Sequence, residues 1–226
     1  MKQHWERKRG VKEEIGKMQV CERFVSFSGE APFPGELVYF IRLAKCNMVP
    51  HCSYCDSSYS FKNGREESWK NIVKYINSQK VEKVIWTGGE PSLQIEEIYK
   101  VIKCTPDITH QIETNGLIKF NPKLFKAIVI SPKPQRFKKE LLDWFSNFTN
   151  VYFKFVVKNK EEFKFWDDFI QDTDLKYNDN IYFMPQGVTD IELKSRASWL
   201  RDLCIKYRYG LSPRFHIWLF GNKRGT

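Results

Sequence analysis

The sequence predicts an α/β fold, a partial (β/α) barrel with about six parallel strands. Short apolar runs of strand length alternate with longer segments whose apolar residues recur at helical spacing. Parallel strands need crossover connections, which are usually helices, so this alternation favours a parallel sheet. The 226 residues are enough for one such domain. We expect it to span residues 21–226, preceded by an N-terminal arm of residues 1–20.

The first two strand and helix units have the clearest signals. Residues 37–41 are apolar, with the β-branched and aromatic content of a buried strand. Ser68 has the side chain of an N-cap, and it precedes a helical pattern that ends near Ser78. A second strand at residues 84–86 stops at a glycine pair, and a helical pattern follows over residues 95–102. These two units predict the start of the parallel sheet.

The alternation continues through the rest of the chain. Further strands are predicted at residues 111–113, 127–130, 151–157, 181–183 and 216–220. Further helices are predicted near residues 141–145, 163–170 and 193–205. Polar and glycine-containing motifs fall just after strands, on the side where barrels and open α/β sheets place their active sites.

Composition narrows the class of protein. The chain is 42% hydrophobic and 15% aromatic, which excludes a disordered segment. It carries a net charge of +10, but its lysines are scattered over the helical stretches as on a solvated surface. We therefore expect no nucleic-acid partner, and a basic metal-binding nucleic-acid module is kept only as an alternative. The charged start and the lack of an apolar run of about 18 residues predict a cytoplasmic protein without a membrane partner.

Three cysteines, Cys46, Cys52 and Cys55, lie within ten residues and have no fourth cysteine nearby. A structural zinc site or an electron-transfer cluster uses four protein ligands. Three thiolates on an iron-sulfur cluster leave one iron open to a substrate or cofactor. The loop therefore favours a reactive cluster over a structural metal.

Two other uses of this loop remain open at this point. His51 could complete a zinc site of three cysteines and one histidine, although adjacent residues such as His51 and Cys52 seldom face one metal. Cys52 and Cys55 have the spacing of a redox pair, but no clear helix start follows them. The isolated cysteines are predicted to be buried apolar residues: Cys21, Cys104 and Cys204.

The cysteine loop after one strand, with Thr-Gly-Gly-Glu-Pro at residues 87–91 after the next, resembles the radical S-adenosylmethionine superfamily. The resemblance implies a partial TIM-like barrel that holds a 4Fe-4S cluster on the three cysteines and S-adenosylmethionine on its open iron. It also implies that Gly89 and Glu90 contact the methionine part of the cofactor and Tyr54 its adenine. Glycine permits close approach of the backbone, and a carboxylate pairs with an ammonium group.

Over residues 21–226 the chain resembles 7-carboxy-7-deazaguanine synthases. The matching segments are residues 27–30, 39–43, 55–57, 87–91, 113–116, 131–134 and 212–225. This family converts 6-carboxy-5,6,7,8-tetrahydropterin to 7-carboxy-7-deazaguanine with loss of ammonia, in 7-deazapurine and queuosine biosynthesis. The resemblance implies catalytic use of S-adenosylmethionine, a requirement for Mg²⁺, a homodimer, and a reducing electron donor such as a flavodoxin. A glycyl-radical activase acting on a partner protein is kept as the alternative.

The resemblance also assigns site residues by position. Those implied for the pterin substrate are Phe27, Ser28, Gly29, Arg42, Thr87 and His216. Those implied for S-adenosylmethionine are Tyr54, Gly89, Glu90, Glu113, Ser131, Pro132, Lys133 and Gln186. Ser57 is the implied magnesium ligand.

The chain departs from the family pattern at three places. Five residues separate Cys46 from Cys52, where three are common, so the loop is expected to bulge. Ser28 and Ala31 stand where glutamine and glycine are usual. These two positions bear on substrate choice.

Overall fold

The computed structural model describes residues 16–62 and 64–226. Its strands are β1 (Lys17–Phe27), β2 (Leu37–Leu43), β3 (Arg65–Ser68), β4 (Lys83–Gly88), β5 (Thr109–Thr114), β6 (Ala127–Ile130), β7 (Val151–Val157), β8 (Ile181–Pro185) and β9 (Gly210–Leu211). Its helices are α1 (Trp69–Ser78), α2 (Ile95–Lys103), α3 (Lys139–Ser146), α4 (Lys160–Gln171), α5 (Asp190–Tyr207) and α6 (Phe215–Phe220).

The strands form one open sheet in the order β3-β1-β2-β4-β5-β6-β7-β8-β9. Neighbours from β2 to β9 are parallel, whereas β1 is antiparallel to both β2 and β3. This arrangement confirms the predicted partial barrel, with seven parallel strands in the described part of the chain.

The core lies between the sheet and its helices. It contains Ile41, Trp86, Phe155 and Trp166, each with no exposed surface. Helix α1 starts as predicted, because the Ser68 side chain accepts a hydrogen bond from the Asn71 amide at 3.2 Å. The opposite face of the sheet encloses a cavity at the carboxyl ends of the parallel strands.

The strand predicted at residues 216–220 is wrong, because these residues form α6. A buried strand would hide its apolar side chains, but here Ile217 is buried while Trp218 is 68% exposed. Gly221, with φ of 65°, follows the helix in the left-handed region that glycine favours. The four apolar residues after His216 did not distinguish a short surface helix of six residues from a strand.

The antiparallel strands carry weaker sequence signals. In β1 the pairing with β2 shifts between Val20 and Glu22, which interrupts the alternation expected of a regular strand. The predicted arm overlaps this strand, since residues 17–20 belong to β1 and residues 1–15 lie outside the described residues. Among the described residues, no helix is both long and apolar enough to cross a membrane.

The isolated cysteines have three different environments. Cys204 is buried as predicted, whereas Cys104 is exposed, so the prediction for Cys104 is wrong. Cys104 immediately follows the last residue of α2, where its side chain faces solvent. Cys21 is half-buried.

Candidate active site

A cavity of about 480 Å³ lies at the carboxyl ends of the parallel strands. This volume is in the range of small-molecule and cofactor sites. Most of the predicted site residues line it: Phe27, Ser28, Gly29, Arg42, Tyr54, Cys55, Ser57, Thr87, Gly89, Glu90, Glu113, Ser131, Lys133, Gln186 and His216. Cys46, Cys52 and Pro132 are outside its lining.

The cysteine loop is anchored at its start beside the end of β4. Lys45 has a φ of 72°, so the chain turns sharply out of β2 just before Cys46. The Lys45 amide donates to the Ser60 carbonyl at 2.8 Å, and the Glu90 amide donates to the Lys45 carbonyl at 2.8 Å. A Cβ on Gly89 would lie 1.9 Å from the Lys45 carbonyl oxygen and 3.1 Å from the Cys46 nitrogen. Glycine is required here because the cysteine loop and the glycine motif touch through their backbones.

The three thiols suit a cluster better than a single zinc ion. All three are free, and burial raises the pKa of Cys46 and of Cys55. A zinc ion with bonds of about 2.3 Å would require their sulfurs to converge within about 4 Å. Within residues 16–62 and 64–226, no group of three His, Cys, Asp or Glu side chains is placed to hold one metal ion. In a cluster each cysteine binds a different iron, so no such convergence is needed.

The neighbours of the loop agree with this choice. His51 stacks on Phe61 with ring centroids 3.8 Å apart, so it is committed to a packing contact. Gln135 Nε2 lies 3.0 Å from Cys52 Sγ and donates a hydrogen bond to it. Hydrogen bonds to cysteine sulfur are a usual feature of iron-sulfur sites. The donor set therefore fits an iron-sulfur cluster.

Glu90 ties the ends of β4 and β5 together from a position with only 1% exposure. Its Oε1 accepts from the Ser92 amide at 3.0 Å and the Thr114 hydroxyl at 2.6 Å, and its Oε2 accepts from the Asn115 amide at 2.8 Å. Oε2 retains capacity for one further donor. Glu90 thus shapes the cavity floor and can meet an ammonium group through a single oxygen.

Arg42 stands on the opposite wall, near the end of β2. Its Nε donates to Glu22 at 2.8 Å and its Nη1 donates to the Ser57 hydroxyl at 3.1 Å. Ser57 in turn donates to Asp56 at 3.1 Å. Arg42 therefore presents the end of its guanidinium group, rather than its Nε side, to an anion in the cavity.

Four charged residues that line the cavity have no role predicted from the sequence: Glu30, Asp56, Lys154 and Arg214. Glu30 lies between Lys154 and Arg214, and Arg214 also pairs with Asp56. Burial acts to raise the pKa of Glu30, but the positive charges of Lys154 and Arg214 hold it well below its usual value. The network stays charged in neutral solution and links four separate segments of the chain.

Only one of these residues had a usable sequence signal. Lys154 interrupts the otherwise apolar run at residues 151–157, and a buried cation there requires a partner. Glu30 and Asp56 stood inside matching motifs without an assigned role. Arg214 is 184 positions from Glu30, and such a pairing leaves no local pattern.

His216 and Gly29 are in direct contact at the cavity wall. A Cβ on Gly29 would lie 2.0 Å from His216 Nδ1. Burial lowers the pKa of His216, against the raising effect of Glu30. The imidazole is therefore neutral in neutral solution and can both donate and accept a hydrogen bond.

The last residues of the chain also line the cavity, at positions 222–226. We call residues 221–226 the tail segment. Arg224 Nε donates to Glu22 at 2.7 Å, and its guanidinium carbon lies 4.1 Å from the centre of the Tyr59 ring. The tail segment and Arg42 thereby line the same cavity and share Glu22 as a hydrogen-bond partner.

Comparisons with known proteins agree with this geometry. The sequence model of the Radical SAM superfamily matches residues 40–136. The 7-carboxy-7-deazaguanine synthase of Clostridium acetobutylicum is 32% identical over 182 residues, which cover 74% of this chain and 80% of that protein. The synthase of Hyperthermus butylicus is 27% identical over 218 residues, 88% of this chain and 92% of that protein.

Two solved structures share the fold. QueE from Escherichia coli has a TM-score of 0.69 at 20% identity, covering 88% of this chain and 95% of that one. SuiB from Streptococcus suis, solved with bound S-adenosylmethionine, has a TM-score of 0.52 at 15% identity, covering 74% of this chain and 44% of that one. At these identities the two structures support the fold alone.

Proposed function

Because this chain belongs to the 7-carboxy-7-deazaguanine synthase family, we propose that it converts 6-carboxy-5,6,7,8-tetrahydropterin to 7-carboxy-7-deazaguanine and ammonia. These relatives and the superfamily match confirm the prediction that the chain is a radical S-adenosylmethionine lyase. They favour neither the glycyl-radical activase nor the nucleic-acid module. One observation carries the proposal: Cys55, Gly89 and Arg42, which are predicted to contact the cluster, the cofactor and the substrate, line the same cavity.

The superfamily uses S-adenosylmethionine and a 4Fe-4S cluster, and we propose that Cys46, Cys52 and Cys55 ligate the cluster here. When bound, the cluster would supply the one-electron reduction that releases methionine from S-adenosylmethionine, and with it the radical chemistry for hydrogen abstraction from the substrate. The protein must keep this reaction away from water. The buried floor at Glu90 and the tail segment at the opening serve that purpose.

The cofactor site is proposed along the ends of β4 to β8. Gly89 allows the backbone to approach the cofactor, and one Glu90 oxygen is available to its ammonium group. Lys133 donates to Ser131 at 2.8 Å, and burial lowers the pKa of Lys133. Its ammonium group can pair with the carboxylate of the cofactor. The full proposed set is Tyr54, Gly89, Glu90, Glu113, Ser131, Pro132, Lys133 and Gln186.

The substrate site is proposed on the wall formed by β1, β2, the end of β4 and the start of α6. Arg42 binds the substrate carboxylate through the end of its guanidinium group. Thr87 is held by its hydrogen bond to Glu113 at 2.8 Å, which fixes its hydroxyl. The full proposed set is Phe27, Ser28, Gly29, Arg42, Thr87 and His216.

We further propose Mg²⁺, a reducing donor such as a flavodoxin, a homodimer and a cytoplasmic location. Ser57 is the proposed magnesium ligand, and the remaining ligands would be substrate oxygens and water, which Mg²⁺ commonly keeps. The exposed apolar residues of α6, including Trp218 and Leu219, are compatible with a subunit contact.

The test is an anaerobic product assay with the reconstituted protein. Carboxytetrahydropterin, S-adenosylmethionine, Mg²⁺ and a reductant are added, and chromatography follows 7-carboxy-7-deazaguanine. Omission of Mg²⁺ should lower the rate. A protein that carries about four irons per chain and cleaves S-adenosylmethionine but forms no deazapurine would contradict the substrate assignment.

A further inference from the structure

Glu22 lies in none of the matching motifs, yet it holds donors from three other parts of the chain. Its carboxylate accepts hydrogen bonds from Arg42 Nε at 2.8 Å, Tyr59 Oη at 2.9 Å and Arg224 Nε at 2.7 Å. The Glu22 side chain is 14% exposed. Charge-assisted hydrogen bonds of this length fix geometry well, so Glu22 joins β1, β2, the turn after the cysteine loop and the tail segment.

The contact with Glu22 decides which edge of Arg42 is free. The Nε atom is used by Glu22, and Nη1 donates to Ser57. Among the described residues nothing accepts from Nη2, so Nη2 and the second hydrogen of Nη1 remain for another acceptor. Arg42 lines the cavity, and an anion there would meet this end of the group.

The charges around Glu22 do not balance. Burial acts to raise the pKa of Glu22, but hydrogen bonds from Arg224, Arg42 and Tyr59 outweigh burial and hold the pKa below its usual value. One carboxylate thus serves two guanidinium groups, so the free end of Arg42 carries positive charge into the cavity, where Glu113 is the other acidic neighbour. A ligand carboxylate would supply the missing negative charge.

Arg224 is also the anchor of the tail segment. Within residues 221–226, the side-chain hydrogen bonds that the structure describes to the rest of the chain come from Arg224, to Glu22 and Cys21. Gly221 and Gly225, on either side, have φ of 65° and 72°. The position of the tail segment over the cavity therefore depends on the same carboxylate that orients Arg42.

We infer that Glu22 is a positioning residue that sets the anion-binding edge of Arg42 and couples it to closure of the tail segment. This inference rests on the proposed function for the identity of the anion, a pterin carboxylate. In a Glu22→Gln variant the amide can accept from one guanidinium group but directs its NH₂ at the other. Arg42 then loses its fixed orientation and the tail segment loses its anchor.

The first measurement is ligand affinity of the reconstituted protein loaded with S-adenosylmethionine. Fluorescence titration compares 6-carboxypterin, a stable analogue of the substrate, with pterin, which lacks the carboxylate. Glu22→Gln should weaken binding of 6-carboxypterin about tenfold and leave pterin within about twofold. Equal weakening of both ligands, or none, would overturn the inference. Glu66→Gln is the matched control, because Glu66 on β3 lies outside the cavity lining and forms an exposed ion pair with Lys17 of β1.

The second measurement is amide hydrogen exchange of residues 221–226 in the same protein. Exchange should become faster in Glu22→Gln and in Arg224→Gln, and it should stay unchanged in Glu66→Gln. Arg224→Gln keeps the inference testable if Glu22→Gln fails to fold. If the unmodified protein binds neither pterin, the proposed function fails. The coupling between Glu22 and the tail segment is then decided by hydrogen exchange alone. Unchanged exchange of residues 221–226 in Arg224→Gln would refute the coupling.

Discussion

The cavity is built from contacts between single residues that leave no room for a methyl group. Gly29 shows this most directly, because a Cβ there would lie 2.0 Å from His216 Nδ1. The Gly29 carbonyl also accepts from the Phe215 amide at 2.7 Å, so the backbone has little freedom to retreat. The imidazole of His216 is the group that must move.

We therefore expect Gly29→Ala to lower kcat/KM at least about tenfold, since a displacement of about 1 Å in a site has costs of that order or more. A double-mutant cycle with His216→Ala checks the cause. In the His216→Ala background, Gly29→Ala should add less than about twofold. A full additional tenfold loss there would show that the methyl group acts elsewhere.

The cluster cysteines have a matched control in Cys104. A complete cluster contains about four irons per chain. After anaerobic reconstitution, we expect a much lower iron content in each of three variants: Cys46→Ala, Cys52→Ala and Cys55→Ala. Cys104→Ala should retain the full iron and sulfide content, because that side chain is exposed and outside the cavity lining. Colorimetric iron and sulfide analysis decides this, and an unchanged iron content in Cys46→Ala would contradict the three-ligand assignment.

At this scale the sequence predicted the residues of continuous motifs and left out those paired across the chain. Gly89 could be predicted, because a glycine pair after a strand has a local reason. Glu22 and Arg214 could not, because each is an ordinary charged residue until partners about two hundred positions away are brought to it. Lys154 could be predicted in part: its apolar neighbours in β7 indicate that it is buried, but they do not indicate Glu30 as its partner.

Single helices and strands are held by local signals that can be tested one at a time. Helix α1 begins at a cap that the sequence predicts, with Ser68 accepting from the Asn71 amide at 3.2 Å. Helix α5 has a stronger start, a capping box between Thr189 and Glu192. The apolar run of α6 shows the opposite case, since its composition is that of a strand.

Ser68→Ala should lower the free energy of unfolding by about 1 kcal/mol, because one amide of the first turn of α1 loses its partner. Urea denaturation measures the change. Ser78→Ala, at the exposed end of the same helix, is the control and should stay within about 0.5 kcal/mol. Equal losses in both variants would mean that the cap contributes nothing specific.

His110 connects three elements and makes stability depend on pH. It accepts from Trp86 Nε1 of β4 at 3.1 Å, and its Nε2 lies 2.9 Å from the Thr105 hydroxyl, which donates to the Val101 carbonyl of α2. Burial lowers the pKa of His110 to about 4. The folded protein therefore holds the neutral imidazole, while the unfolded chain takes up a proton near pH 6.5.

The folded-state pKa of His110 is below the unfolded value, so its stabilising contribution is complete above pH 6.5 and is lost as pH falls towards 4. The loss amounts to about 3 kcal/mol at about 1.4 kcal/mol per pKa unit. His110→Asn keeps an acceptor for Trp86 and cannot titrate. The difference in unfolding free energy between the two proteins should shrink by about that amount from pH 7 to pH 4, and a constant difference would refute the assignment.

The gap between the two ends of the open sheet is bridged by single hydrogen bonds and ion pairs rather than by paired strands, and we call this contact the seam. The Ala31 amide donates to the Ser212 hydroxyl at 2.9 Å, and the Phe215 amide donates to the Gly29 carbonyl at 2.7 Å. These contacts, together with the ion pairs of Glu30, join the loop after β1 to the segment after β9. The sequence predicted the parallel sheet from local alternation, but this seam has no local pattern and could not be predicted.

Lys154→Met tests the seam at the scale of the fold. Removing one partner from a buried ion pair lowers the free energy of unfolding by about 3–5 kcal/mol. For Lys154→Met we expect the lower end of that range, because Arg214 still contacts Glu30. Lys164→Met is the control, since Lys164 is 73% exposed in its pair with Asp168 and should change stability by less than about 0.5 kcal/mol. A loss below 1 kcal/mol in Lys154→Met would mean that the seam is held mainly by its other contacts.

The seam also sets an order of events during synthesis. Ala31 and Ser212 are 181 positions apart, so the ribosome releases the cysteine loop long before the partner of Ala31 exists. At about 5–20 residues per second, the chain from Cys55 to Ser212 takes roughly 10 to 30 s to complete. Throughout that interval the tail segment has not yet been made. The cysteine loop is therefore synthesised well before the tail segment that lines the same cavity as Cys55.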